Sequence, residues 1–311
     1  MTESLNTFEL VEGENLAANR VVTFTNSDGV SITFNEQEFS PYILASVKDL
    51  YTMEYNVYTS QNTMVDGATY QGSVAKQRNL IVTVKDLVES GFARNRGLLD
   101  EVFKPNSKGT MQIEDINAKP KIIDYYVEKM TSTANHDVRT HVISLICPDP
   151  FFYAKNDAVV NIAEWNGAFE FQHEFLDEKE EFGWRSQVRM RTIENLNSND
   201  NIGMDITVTC VGAVTNPSIT IVETQEKIKF GSQASPFVLY TGDVLRITTG
   251  TGNKHVFLTR NGVTSEINYL MTEDSKFIQL KRGTNTIGYD ADAGADYLVL
   301  RIKYRLVYPR A

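Results

Sequence analysis

Residues 242–255 read GDVLRITTGTGNKH, and their interpretation separates an α/β nucleotide-binding fold from an all-β one. Three glycines and a lysine in so short a run suggest a phosphate-binding loop. That loop, G-x-x-x-x-G-K-[ST], lies between a strand and a helix, where backbone N–H groups and the helix N-terminus face the phosphates. Here the run after Thr249 is GTGNKH, so the spacing is wrong. The VFLTRNG that follows reads as a strand instead of opening a helix. A tight β-turn accounts for every glycine. The stretch turns a corner between two strands.

Working outward, most of the chain has the same character. Residues 20–34, RVVTFTNSDGVSITF, are two alternating β runs joined at Asn26-Ser27-Asp28-Gly29, a strong hairpin signal. Tyr51–Tyr58 and Asn79–Val84 are further β-rich runs. The polar stretch between them, TSQNTMVDGATYQGSVAKQR, reads as a long hairpin tip or exposed loop. One helix is expected in ESGFARNRGLLDEVFKP, where Phe92, Leu99 and Phe103 share a face, Ser90 is the N-cap and Pro105 ends it. MQIEDINAKPKIIDYYVEKM then resumes β structure with a turn near Asn117.

Pro148-Asp149-Pro150 interrupts backbone pairing after VISLI and marks a domain boundary. We expect a first domain over 1–147 and a second over 148–311. The second contains the short runs ITVTCV, SITIV, KIKF, FVLY, VLRITT, HVFLTR, KFIQL and YLVLRIKYRLVY, the spacing of a β-sandwich. The charged segment 161–201 is expected to include an extended arm. The last strands either close the sandwich or return toward the first domain.

Composition bounds the function. The chain has 311 residues and a net charge of -10, which argues against broad nucleic-acid or anionic-membrane binding. No apolar run approaches the roughly 20 residues of a membrane-spanning helix. The N-terminus lacks the basic and apolar regions of a signal peptide, so a cytoplasmic origin is expected. Cys147 and Cys210 sit in apolar company and are expected to be reduced and buried.

Several chemical motifs fall short. His173-Glu174 opens H-E-x-x-H, but Asp177 stands where the second histidine belongs. His136 and His141 are five apart, on opposite faces of a strand. NSNDNIG (197–203) and DADAGAD (290–296) resemble calcium loops but lack Gly and Glu at the sixth and twelfth positions; turns between strands explain both. No G-x-S-x-G elbow is present. No catalytic residue, cofactor or metal is expected, although a dispersed triad is defined by geometry rather than order. A hydrolase using unplaced carboxylates is given little weight.

Two surface features remain. Arg185, Gln187, Arg189 and Arg191 alternate with Ser186, Val188 and Met190; on a strand they form one basic face, either solvated or a contact for a subunit or acidic partner. Trp165, Phe169 and Trp184 offer rings that stack on sugars, though such residues in a β-rich domain usually belong to the core.

Taken together, the segments resemble the distal tail proteins (Dit) of long-tailed bacteriophages across nearly the whole chain. The resemblance rests on VVTFTNSDGVSITF, VDGATYQGSVAKQRNLIVTVKDL, RGLLDEVFKPNSKGTMQIED and, most sharply, SLICPDPFFYA. In the second half it rests on TNPSITIVETQEKIKF, YTGDVLRITTGTGNKHVFLTRNG and FIQLKRGTNTIGYDADAG. It implies a mainly β chain: an N-terminal β-barrel-like domain with one helix and a protruding hairpin, then a galectin-like β-sandwich. It further implies a homohexameric ring at the virion tail tip, assembled in the host cytoplasm. The ring would lie between the tail tube protein and the tail-associated tip protein, with phage DNA passing through its lumen. Receptor-binding proteins are possible further partners; a membrane is not. The loop Gln61–Lys76, with Asp66, Gly67 and Tyr70, then becomes a candidate subunit or partner contact, as do Arg185, Arg189 and Arg191. The alternative reading is a carbohydrate-binding module recognising host cell-wall saccharide through the C-terminal domain, with Trp165 and Trp184 as its candidate contacts.

Overall fold

The computed structural model describes residues 20–36, 42–61, 66–87, 92–115, 118–135, 138–163, 165–167, 183–185, 189–196 and 201–311. The chain divides into two compact units, Met1–Pro150 and Phe151–Arg310. Ser90, Asn117, His136, Phe169, His173, Glu174, Asp177 and most of 161–201 lie outside the described residues.

The first unit contains β1 (Val21–Asn26), β2 (Ser31–Asn35), β3 (Tyr42–Lys48), β4 (Tyr55–Ser60), β5 (Thr69–Ala75), β6 (Arg78–Leu87), α1 (Phe92–Val102), β7 (Lys108–Glu114), β8 (Lys121–Asn135) and β9 (Val138–Cys147). Seven of its strands run in the order β8-β7-β1-β2-β3-β6-β9, and a β8–β9 pairing closes them into a barrel. Closure removes the exposed sheet edges. The β1–β2 hairpin falls at the expected Asn26–Gly29, where the Asn26 side chain accepts the N–H groups of Asp28 and Val30 at 3.0 and 2.9 Å. Alternation turns Phe24, Phe34 and Tyr125 into the barrel. Leu99 and Val102 of α1 are buried with Phe103, whose ring meets Phe24 edge-on at 5.2 Å. Leu99 and Phe103, two of the three residues expected on its apolar face, are thus buried, while the side chain of Phe92 lies outside the described residues.

One expectation is corrected here and one resolved. The β run placed at Tyr51–Tyr58 starts only at Tyr55, and of the two readings of the stretch after it the hairpin holds, since seven-residue β5 pairs antiparallel with β4. Their polar composition and exposure disguised a ladder that buries no face.

The second unit contains β10 (Phe152–Ala154), β11 (Ala158–Ile162), β12 (Trp165–Gly167), β13 (Gly183–Arg185), β14 (Met190–Asn195), β15 (Met204–Cys210), β16 (Val214–Ile221), β17 (Glu226–Lys229), β18 (Val238–Leu239), β19 (Val244–Gly250), β20 (Asn253–Arg260), β21 (Val263–Glu266), β22 (Gly283–Ala293), β23 (Leu298–Tyr304) and β24 (Val307–Tyr308). One sheet runs β11-β23-β15-β19-β20-β21; the other runs β14-β22-β16-β17, with β18 also on β16. Ile206, Ile247, Leu300 and Val256 from the first and Ile219, Ile221 and Ile287 from the second share one buried core. This is an antiparallel β-sandwich. β10 and β24 pair antiparallel, Phe152 with Tyr308 and Tyr153 with Val307.

GTGNKH makes the two-residue turn of the β19–β20 hairpin, with Gly250 opposite Asn253 and Gly252 at φ 75, a conformation glycine adopts without strain. KFIQL does not form a strand: only Leu280 bridges, to Ile202, while Ile278 is buried. Conversely, Asp290–Ala293 belong to β22 rather than to a turn, which follows at Gly294–Tyr297. Asp290 and Asp292 occupy the solvent-facing alternation of that strand.

Candidate assembly surface

β4 and β5 form a two-stranded ribbon that pairs with no other strand among the described residues. Its register pairs Tyr55 with Ala75, Val57 with Ser73, Tyr58 with Gly72 and Thr59 with Tyr70, with a bulge between Tyr58 and Thr59. Paired positions share a face and alternate along the strand, so Tyr55 and Val57 lie on one side and Tyr58 and Val74 on the other. Tyr55, Val57, Tyr58, Tyr70 and Val74 are each 47–62% exposed. An isolated two-stranded ribbon is marginal in water, which makes its exposed apolar side chains a candidate contact surface. Among the candidates, Asp66 and Gly67 lie exposed at the ribbon's turn and Tyr70 on β5, its hydroxyl donating to Ser73 at 2.8 Å. The sequence reading missed Tyr55, Val57, Tyr58 and Val74. Their signal was YNVY, a β run with apolar residues on both faces.

The basic residues do not form a single strand face. Arg185 ends β13, which pairs with β12, whereas Arg191 lies in β14, which pairs with β22. Arg189 precedes β14; its guanidinium donates to Asp296 at 2.6 Å and lies 3.8 Å from Asp290. Its charge is thus met by the DADAGAD segment. The third acid there, Asp292, accepts from Lys229 at 2.8 Å and Asn216 at 2.7 Å, which hold its carboxyl below the usual range. Among the described residues, no cluster of three or more His, Cys, Asp or Glu is arranged to hold a metal. Trp165 stands opposite Arg185 and Asn166 opposite Trp184 in the β12–β13 ladder.

A Ser–His–Asp sequence of contacts runs from exposed Ser132 on β8 to His141 and Asp86, which are buried in the barrel. Ser132 Oγ lies 2.8 Å from His141 Nδ1, and His141 Nε2 lies 3.2 Å from Asp86. Asp86 also lies 3.5 Å from Arg139, and Tyr42 meets the imidazole edge-on. Ser132 sits within strand β8, with neither the sharp turn nor the helix N-terminus that gathers N–H donors around an oxyanion. The arrangement supplies partners to buried His141 and Asp86 where the barrel lining changes from apolar to charged. Burial pushes the Cys147 thiol up to about 12 and raises that of Cys210, and both cysteines are free and buried, as expected.

In the sandwich, Asp243 clasps the loop before β19. Arg260 Nε donates to both its carboxylate oxygens at 3.0 Å, the Tyr240 N–H donates at 2.9 Å, and the guanidinium lies over the Tyr240 ring. Arg260 holds the Asp243 carboxyl below its ordinary value. The Gly242-Asp243 start of the opening stretch is therefore a fixed corner.

A β-barrel with one helix in the first unit and an antiparallel β-sandwich in the second define a mainly β chain. Residues 197–308 match the model of the siphovirus-type tail component, C-terminal domain. The chain superposes on the Dit protein of phage SPP1 with a TM-score of 0.63 at 11% identity, covering 92% of this chain and 99% of that one. The second unit carries the siphovirus-type tail-component domain, and the chain has the distal tail protein (Dit) fold. A chain of the phage p2 baseplate in its activated conformation with calcium covers 94% of this chain and 99% of its own, at 9% identity and a TM-score of 0.48, too low to argue from. A search of curated proteins returned no match.

Proposed function

We propose that this chain is the hub at the distal end of a phage tail. Six copies close into a ring between the tail tube protein and the tail-associated tip protein, and the lumen passes DNA. The reading makes the barrel domain, 1–147, the ring-forming part and the galectin-like domain, 148–311, its outward partner surface. The carrying observation is the fold agreement over nearly the full length of both chains with SPP1 Dit, a protein described as a paradigm of the hub adsorption apparatus in phages infecting Gram-positive hosts. The uncovered ribbon supplies what such a ring needs: a heterologous contact that closes by rotation, without a cofactor. Tyr55, Val57, Tyr58, Tyr70 and Val74 gain burial against a neighbouring copy, each worth on the order of 1 kcal/mol because about half of each residue is already covered. The net charge of -10 suits a channel that must not retain DNA, since every neutralised phosphate adds salt-dependent affinity. The role is non-enzymatic, performed at the virion tail tip after assembly in the host cytoplasm.

Light scattering after size exclusion, with negative-stain imaging of the main peak, tests this. Six-fold rings are expected. A protein that stays monomeric both alone and when mixed with its tail tube and tip proteins contradicts it.

A further inference from the structure

Because the ribbon buries almost nothing of itself, its direction must be fixed at its stem. Arg78 opens β6 on the same side as Leu80, Val82, Val84 and Asp86, so alternation turns it into the end of the barrel. Only 4% of it is exposed. Its Nε donates to the Pro150 carbonyl at 2.9 Å, and Nη1 to the carbonyls of Asp49, Leu50 and Thr52 at 2.7, 3.0 and 2.6 Å. The last three belong to the segment that leads into β4. Burial pulls the Arg78 pKa down, the cost of desolvating a charge, which these carbonyl dipoles offset. A rigid fork of donors can reach several carbonyls at once; an ammonium cannot match that geometry.

The packing around the stem is loose. A cavity of about 180 Å³ lies beside Arg78, lined by Thr52, Met53, Glu54, Lys76 and Gln77 among others. The two stem strands are otherwise joined by the Lys76 N–H donating to the Glu54 carbonyl at 2.9 Å and by an exposed Lys76–Glu54 ion pair at 3.1 Å, a contact of little energy. Hydrogen bonds rather than apolar packing therefore hold the ribbon in place.

We infer that Arg78 is the positioning residue of the assembly ribbon: by gripping the carbonyls of Asp49, Leu50 and Thr52 and that of Pro150, it presents the ribbon in the one attitude a neighbouring copy accepts. The inference rests on the ribbon being the subunit contact. Pre-organisation of this kind reduces the ordering cost of association.

The test uses the full chain with Arg78→Met and, because that variant removes every bond and risks misfolding, Arg78→Lys. Hydrogen exchange is followed in peptides covering 49–61 and 69–77 and in the barrel strands at 80–86 and 143–147, alongside the ring fraction by light scattering. We expect amides of the stem and ribbon to exchange about tenfold faster or more while the barrel strands stay within about twofold, with Arg78→Lys intermediate and the ring fraction reduced in both. Unchanged ribbon exchange, or acceleration spread equally through the barrel, overturns the assignment. Should the wild-type chain form no ring either alone or with its tail tube and tip proteins, the hub reading fails, while the exchange comparison still decides whether Arg78 holds the stem.

Discussion

The β19–β20 hairpin and the β4–β5 ribbon are made of similar material: antiparallel strands rich in β-branched and aromatic residues around a glycine-containing turn. In the hairpin, Leu245, Ile247, Val256 and Leu258 point into the sandwich core. In the ribbon, no β4 residue is buried, and Tyr and Val side chains stand in solvent on both faces. A ladder whose apolar side is covered by its own chain serves folding. Under the proposed function, one whose apolar side is left open is completed by another copy of the chain.

The difference should appear first in stability. Ile247→Ala opens a cavity in the sandwich and is expected to cost about 2–5 kcal/mol in urea unfolding. Val57→Ala in the ribbon should stay within about 0.5 kcal/mol; a core-like loss there would show that the ribbon is packed after all.

Acid sharpens the comparison on the hairpin side. The carboxyl of Asp243 lies below its ordinary value because Arg260 donates to it. Its stabilisation is fully present above the unfolded value of about 3.9 and is lost as pH falls through the folded one. Asp243→Asn should therefore cost about 1–2 kcal/mol near neutrality, kept low because Arg260 remains partly in solvent. It should also flatten the acid limb of a melting-temperature profile below about pH 4. An acid limb identical to that of the parent would remove the clasp from the account of stability.

The smallest effects concern the two turns. Gly252 (φ 75) and Gly67 (φ 96) both occupy the left-handed region, so an alanine strains either by about 1 kcal/mol. Gly252→Ala should lower the global unfolding free energy by that amount. Gly67→Ala should leave it unchanged, because the ribbon opens independently of the barrel. Equal losses at the two sites would mean that ribbon and barrel unfold as one.

Local chemistry made much of this readable in advance. The Asn-Ser-Asp-Gly and Gly-Thr-Gly-Asn corners, the buried face of the helix and the two free cysteines follow from turn preference and periodicity. Barrel closure does not, because the parallel β2–β3 contact and the β8–β9 seam are set by where strands meet, not by what each contains. Arg78, Asp86 and His141 were not recognised as interior residues, although the parity was present. Arg78 and Asp86 share the alternation of Leu80, Val82 and Val84, and His141 that of Ile143 and Leu145. Charged residues at the ends of a barrel can be interior when they pair or find carbonyl partners. The expected basic face failed for another reason: β13 and β14 go to different sheets. Asp290 and Asp292 were read as turn residues because composition outweighed alternation.

The most direct measurement is the solution mass of the wild-type chain beside that of a Val57→Ser, Tyr58→Ser double variant, with a melting curve for each. A ribbon built for assembly gives a six-fold ring for the parent, and for the variant a monomer melting at the temperature of the parent's dissociated chain. A variant that still forms the ring would contradict the assignment of the ribbon as the contact that closes it.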